Sequence, residues 1–321
     1  MFERILVPLD GSARAEVILP QIARILNRED SEILLLRVVN IPESAGLVMR
    51  TNVRHQEREE AQQYLHTMAL RFGQKASKVH ARLAEGWPAD VILETAKTEG
   101  ATMIAISTHG RSGMERWAIG SVAEKVARSS DVPVLMVRSF RRGSKGDLEP
   151  MVPAELPFRR ILVPVDGSVT SMSVIGSAEK VAELYGSEVM VLHVLPPYVP
   201  ADAMLPGMEA SFPILRPEPI RPEEDEVTEK AADRFRHAGL KVTRLTVEGE
   251  PASEILDLCK NRAADLIALG THGRTGFSRW ALGSVAERVL RSTEVPLLLV
   301  RTPTPKKTTR KQMAANARAR S

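Results

Sequence analysis

The chain repeats itself over a long period. Residues 108–138 read THGRSGMERWAIGSVAEKVARSSDVPVLMVR and residues 271–301 read THGRTGFSRWALGSVAERVLRSTEVPLLLVR; they align without a gap and agree at 21 of 31 positions. Upstream, residues 4–12 (RILVPLDGS) and 160–168 (RILVPVDGS) agree at 8 of 9 positions. Solenoid units run to roughly 20–50 residues, so a repeat of this length describes two whole domains of one kind. The 321 residues suit two domains of roughly 100–200 residues each. The expected division is a first domain at 1–140, a linker at 141–157, a second domain at 158–303 and a basic, disordered tail at 304–321.

Each half alternates short apolar runs with helical patterns. The first half predicts strands at about 4–9, 33–39, 79–84, 102–106 and 132–137, separated by helical stretches, among them 55–74, 88–99 and 121–128. The second repeats the order, with strands at about 160–164, 188–194, 241–247, 266–269 and 295–300. Apolar strands alternating with helices of ten or more residues predict a parallel sheet covered on both faces. Right-handed crossovers then give an open, doubly wound, Rossmann-like α/β fold in each half. Equivalent residues are offset by 156 at the first strand and by 163 at the glycine loop, so seven extra residues lie between. Residues 196–222 hold eight prolines and predict a long loop after the second strand.

Charge and cysteine usage narrow the function classes. The formal charge of +4 hides an uneven distribution, because residues 302–321 hold six Lys and Arg and no acid. The folded part is therefore close to neutral, and the tail reads as a solvated end. It has no aromatic residue for base stacking, which argues against nucleic acid as a partner. The longest apolar runs are far short of the roughly 20 residues that span a bilayer, so no membrane insertion is expected. No secretory pattern opens the sequence. The single cysteine, Cys259, sits in a helical pattern as a small buried hydrophobe and fits a reducing compartment. Cytoplasm is the expected location.

Ligands of an open parallel sheet bind outside the carboxyl ends of the strands. Three repeated features fall on that edge. The fourth strand runs into Gly110-Arg111-Ser112-Gly113 and then Gly120-Ser121; the second copy has Gly273-Arg274-Thr275-Gly276 and Gly283-Ser284. Glycine permits close backbone approach, and a helix N-terminus presents unpaired N–H groups suited to phosphate. Ser121 and Ser284 either add a hydroxyl donor or cap the helix. Asp10 and Asp166 end the first strands; each either accepts hydrogen bonds from a base or ribose, or sets up the turn to an N-cap at Ser12 or Ser168. The Gly86-Trp87-Pro88-Ala89 and Gly249-Glu250-Pro251-Ala252 turns read as structural helix starts.

The second copy carries Gly270-x2-Gly273-x9-Gly283-Ser284. With the Val-Pro-x-Asp strand and the Gly-x-Pro-Ala turn, all in order and twice over, the chain resembles a tandem member of the ATP-binding branch of the universal stress protein family. The resemblance covers nearly everything except linker and tail. It implies two five-stranded sheets in the order 3-2-1-4-5 and bound ATP, with any Mg2+ arriving on the phosphates. It further implies that Pro164, Val165 and Asp166 line the adenine and ribose end, that Val194 flanks the base, and that Leu269, Gly270, Gly273, Gly283, Ser284 and Val285 hold ribose and phosphates. The same places in the first half are Pro8, Leu9, Asp10, Val38, Ile106, Gly110, Gly120, Ser121 and Val122. The first half departs at Ser107, which replaces the first glycine. Serine there either weakens the site, if close backbone approach or positive φ is needed, or adds a hydroxyl. Both halves are expected to bind, the second more tightly.

Other residues beside the loop carry less. His109 and His272 have no ligand set around them, which argues against a metal site. Arg111 and Arg274 either reach phosphate or stay solvated, and Trp117 and Trp280 pack on neighbouring elements. No Gly-x4-Gly-Lys-Ser/Thr loop and no kinase signature is present. Three readings stay open: a nucleotide-dependent regulatory module, a slow ATPase or nucleotidyl transferase at the same loop, and a nucleotide-free scaffold acting through protein partners. The apolar fifth strands stand at a sheet edge, where an exposed edge invites pairing. The two halves are expected to form an internal pseudo-dimer through them; a homodimer of the whole chain is left open by the sequence.

Overall fold

The Asp-Gly-Ser sequence that closes each first strand folds into the same turn twice. Gly11 and Gly167 take φ of +79° and +78°, a conformation that favours glycine. The Ser12 and Ser168 amides each donate to Oδ1 of Asp10 or Asp166 at 3.0 Å. Each serine hydroxyl then accepts from an amide three residues on, Ala15 at 3.2 Å and Ser171 at 3.1 Å, and so caps the next helix. One oxygen of each aspartate thus serves the turn, as one of the two sequence readings has it.

The computed structural model describes residues 2–25, 31–40, 47–73, 78–108, 119–142, 148–150, 158–196, 221, 225–261, 264–271 and 282–301. The first half runs β1 (Arg4–Pro8), α1 (Ala13–Glu16), α2 (Leu19–Ile25), β2 (Glu32–Val39), α3 (Leu47–Gly73), β3 (Lys78–Glu85), α4 (Pro88–Thr98), β4 (Met103–Ser107), α5 (Ser121–Ser129) and β5 (Val134–Val137). A short hairpin follows, β6 (Phe140–Arg142) and β7 (Leu148–Pro150). The second half runs β8 (Arg160–Pro164), α6 (Val169–Met172), α7 (Ile175–Tyr185), β9 (Glu188–Leu195), α8 (Glu226–His237), β10 (Val242–Glu248), α9 (Pro251–Asn261), β11 (Leu266–Gly270), α10 (Ser284–Ser292) and β12 (Leu297–Val300).

Within each half the strands are parallel and ordered 3-2-1-4-5, as β3-β2-β1-β4-β5 and β10-β9-β8-β11-β12. The expectation of two separate sheets is corrected: β5 and β12 pair antiparallel and fuse the halves into one ten-stranded sheet. All eight residues of these two short strands are buried, so leaving their backbone groups unpaired at two edges would be costly. The register centres on Leu135 opposite Leu298, which are equivalent residues, so a pseudo-twofold axis passes between them. Around it, Arg128 Nη2 lies 2.8 Å from Glu124 and 3.5 Å from Glu287, while Arg291 Nη2 lies 3.0 Å from Glu287 and 3.6 Å from Glu124. The Arg138 guanidinium donates to the Arg291 carbonyl across the same junction. The antiparallel junction turns the carboxyl ends of the two halves toward opposite edges of the sheet.

Alternate strand residues feed two layers. Ile5, Val7, Ile33 and Leu35 pack under the α1–α3 side with Leu65, Met68 and Phe72; Leu6, Leu34, Leu36 and Ile104 pack under α4 and α5 with Ile92, Ala123 and Val126. The second half repeats this, with Phe235 of α8 fully buried and Cys259 of α9 inside the core. Burial, with Asp265 nearby, pushes the Cys259 thiol up to about 11, in keeping with a packing role. Three differences from the sequence reading stand out. The first helical stretch is broken into α1 and α2, α3 begins at Leu47 rather than near 55, and the linker carries the β6–β7 hairpin. Arg14 stacks 4.9 Å over the Phe140 ring and ties that hairpin to α1. The proline-rich segment, apart from Pro196 and Arg221, and the basic tail lie outside the described residues.

Candidate functional site

Both halves build a cavity over the carboxyl ends of their strands. The first measures about 530 Å³, and its lining includes Pro8, Leu9 and Asp10 after β1, Val38 of β2, Ile106 of β4, and Gly120, Ser121 and Val122 at the start of α5. The second measures about 220 Å³ and includes Pro164, Val165, Asp166, Val194, Leu269, Gly270, Gly283, Ser284 and Val285. The expected site residues therefore converge, half by half, with two exceptions. Gly110 and Gly273 lie outside the described residues, with His109, His272, Arg111, Arg274, Trp117 and Trp280.

Backbone bonds hold the ends of each glycine loop together. The Gly120 amide donates to the Thr108 carbonyl at 2.8 Å and Thr108 donates to Val137 at 2.9 Å; Gly283 to Thr271 (2.7 Å) and Thr271 to Val300 (3.0 Å) repeat the arrangement. The N-caps of α5 and α10 are Gly120 and Gly283, and neither helix has a side-chain cap. Ser121 and Ser284 occupy the first helical position instead, so capping is not their role. The first-turn amides and the positive dipole end face the cavity, an arrangement suited to an anionic group.

The Ser107 departure has a physical explanation in the packing. Gly270 is not in the positive-φ region; a Cβ there would lie 2.8 Å from the Thr170 carbonyl oxygen at the start of α6. Glycine is needed because a neighbouring helix approaches, not because of backbone strain. In the first half Ser107 Oγ lies 2.5 Å from Ser139 Oγ, and Ser139 donates to the Arg14 carbonyl at 3.1 Å, where Arg14 is the counterpart of Thr170. The serine hydroxyl is thus engaged with Ser139, two residues past β5, which in turn bonds α1.

The structure adds wall residues that the sequence reading missed. Pro88 and Ile92, and their equivalents Pro251 and Ile255, line the cavities although the turn was read as structural; their recurrence in both copies was the available signal. In the first half alone the lining extends to Arg37, Asn40, Glu57, Glu60 and Tyr64. Tyr64 Oη donates to Glu16 at 3.1 Å, and burial with that carboxylate pushes the phenol well above its usual range. In the second half the Arg37 position is His193, whose Nδ1 lies 2.8 Å from Oδ2 of the buried Asp225. Asp225 also accepts from the Thr246 hydroxyl (2.8 Å) and the Val227 amide (3.0 Å). Among the described residues no group of three or more His, Cys, Asp or Glu is placed to hold a metal ion, and no helix is long and apolar enough to cross a membrane.

Comparison with known proteins agrees with this architecture. A universal stress protein of Methanocaldococcus jannaschii is 34% identical over 148 residues, covering 46% of this chain and 84% of the relative. A universal stress protein of Mycolicibacterium smegmatis is 27% identical and matches end to end, over 92% of this chain and 96% of its own. The crystal structure of a universal stress protein from Archaeoglobus fulgidus superposes with a TM-score of 0.66 at 21% identity, over 93% of this chain and 96% of that one, and so shares the fold. The pattern that defines the Universal stress protein family matches twice, at residues 1–138 and 157–301. This chain belongs to the universal stress protein family, as a tandem of two family domains in one polypeptide.

Proposed function

We propose that the protein is a nucleotide-dependent regulatory module that binds an adenine nucleotide, ATP in the first instance, in each half. One observation carries the reading: at each cavity an uncapped helix N-terminus with a leading serine faces the end of an Asp-bearing first strand. The first is built for phosphate and the second for hydroxyls and a base. Ser121 and Ser284, with the amides behind them, hold phosphate oxygens. Asp10 and Asp166, at the ends of the first strands, are assigned to the ribose end by family resemblance. Val38 and Val194 flank the base, and Gly110 and Gly273 are assigned to the phosphates by family resemblance. A divalent ion would come with the phosphates. The second half, which keeps Gly270 where the first has Ser107, is the tighter of the two in this reading.

Binding stabilises the folded state by mass action. Thermal melting with and without Mg-ATP is the test: the reading predicts a concentration-dependent rise in melting temperature, reduced by Ser284→Asp, which sets a negative charge at the helix end. No rise at millimolar Mg-ATP contradicts it. Phosphate release above that of a Gly283→Val control would add turnover to binding.

A further inference from the structure

The second strand of each half ends beside its cavity in the same way. Val38 and Val194, which flank the base in the reading above, are wall residues of the two cavities. One residue on, the Val39 carbonyl accepts from the Gly86 amide at 3.1 Å, and the Leu195 carbonyl from the Gly249 amide at 3.0 Å, so the strand end is pinned to its neighbour in both copies. The copies part at the next residue. The first half has Asn40, which is exposed and lines the cavity; the second has Pro196, which lies outside the cavity lining and has no polar side-chain atom.

Asn40 differs from the other polar groups at this end of the first cavity. Asp10 accepts from the Ser12 amide and hydroxyl and serves its turn. Arg37 Nη1 is directed at the Leu9 carbonyl, 3.5 Å away, and Tyr64 donates to Glu16. Glu57 and Glu60 of α3 bring acceptors only. The Asn40 carboxamide has no hydrogen-bond partner among the described residues, and it offers one donor and one acceptor side by side. At about 3.3 Å per residue it stands roughly 6–7 Å beyond Val38, where a purine packed on that valine brings its edge. Adenine presents the complementary pair there, the N6 amine and the N7 acceptor; guanine presents two acceptors, O6 and N7.

We propose that Asn40 reads the base in the first half and makes that half selective for adenine over guanine, while the second half, with Pro196 at the same place, lacks this side-chain reader. This rests on the nucleotide reading above and adds to it a specificity-determining residue and a difference between the halves.

The experiment uses the full chain carrying Gly283→Val, which leaves the first cavity to be read, with ATP and GTP titrated calorimetrically in the presence of Mg2+. The expected result is ATP bound about tenfold more tightly than GTP. Asn40→Asp keeps the size and removes the donor, and Asn40→Ala removes both groups; each is expected to bring the two affinities to within about twofold of one another. A merely structural role would weaken both nucleotides alike and leave their ratio unchanged. Equal affinity for ATP and GTP before substitution at Asn40, or a ratio that survives both substitutions, overturns the base reader and leaves the nucleotide reading standing. Binding of neither, in this chain and in the unsubstituted one, overturns both.

Discussion

Gly270 and Thr170 are in contact through backbone alone: a Cβ on the glycine would stand 2.8 Å from the threonine carbonyl oxygen. The equivalent pair, Ser107 and Arg14, is bridged by the Ser139 hydroxyl. The same fold thus solves one close approach in two ways, and the halves should not tolerate the exchange equally. Gly270→Ser forces α6 off β11 and is expected to cost up to about 3 kcal/mol. Ser107→Gly loses one buried hydrogen bond and is expected to cost about 1 kcal/mol. Urea denaturation of the two variants measures both; equal losses would contradict the packing account.

The junction between the halves is held by burial more than by charge. Leu298 is fully buried opposite Leu135, so Leu298→Ala is expected to cost about 2–5 kcal/mol. The Glu124, Arg128, Glu287 and Arg291 side chains are a quarter to two-fifths exposed, and each pair is worth about 0–1 kcal/mol. Thermal melting of Leu298→Ala beside Glu124→Gln, at low and high salt, should show a large salt-independent loss for the first and a small one for the second.

Asp225 contributes to the acid limb of stability in the second half. Burial alone would raise its carboxyl, but Thr246, His193 and the Val227 amide outweigh that and hold it below the usual carboxylate value. A folded-state pKa below the unfolded one gives stability that is present above about pH 4 and lost as pH falls through the folded value. Asp225→Asn is therefore expected to be less stable than the parent by about 1–3 kcal/mol at neutral pH, with the gap narrowing below about pH 4. A gap that widens on acidification would reverse the assignment.

Cys259 is buried and its thiol is pushed up to about 11, first by burial and then by Asp265. It should react with an aromatic disulfide reagent at pH 8 at the rate of local or global opening, and promptly in denaturant. Prompt reaction of the native protein would place the thiol at the surface.

The strand positions were legible because they depend on local, repeated signals, whereas the strand order and the assignment of site residues came from the family resemblance. Apolar runs mark β1, β2, β4 and β5 and their copies, and the Asp-Gly-Ser turn is written out twice. What depends on contacts between distant residues was not legible. The residue type at 107 and 270 was visible, but the reason for the glycine lies in Thr170, a hundred residues upstream. The capping question at Ser121 and Ser284 turned on a one-residue shift of the helix start. The edge strands announced pairing, yet a continuous ten-stranded sheet follows from the register of Leu135 on Leu298. The wall residues Arg37 and Tyr64 of the first cavity were not legible either, because their place depends on where α3 lies.

The most direct test of nucleotide binding is the nucleotide carried by the purified protein. It is denatured, and released nucleotide is identified and counted by chromatography, beside a Gly273→Val/Gly283→Val variant. The account predicts an adenine nucleotide approaching about two per chain, falling to about one in the variant, with added Mg-ATP raising the melting temperature of both. No nucleotide in the parent, and no thermal shift on adding Mg-ATP, would contradict it and leave the paired cavities as architecture for a scaffold that works through protein partners.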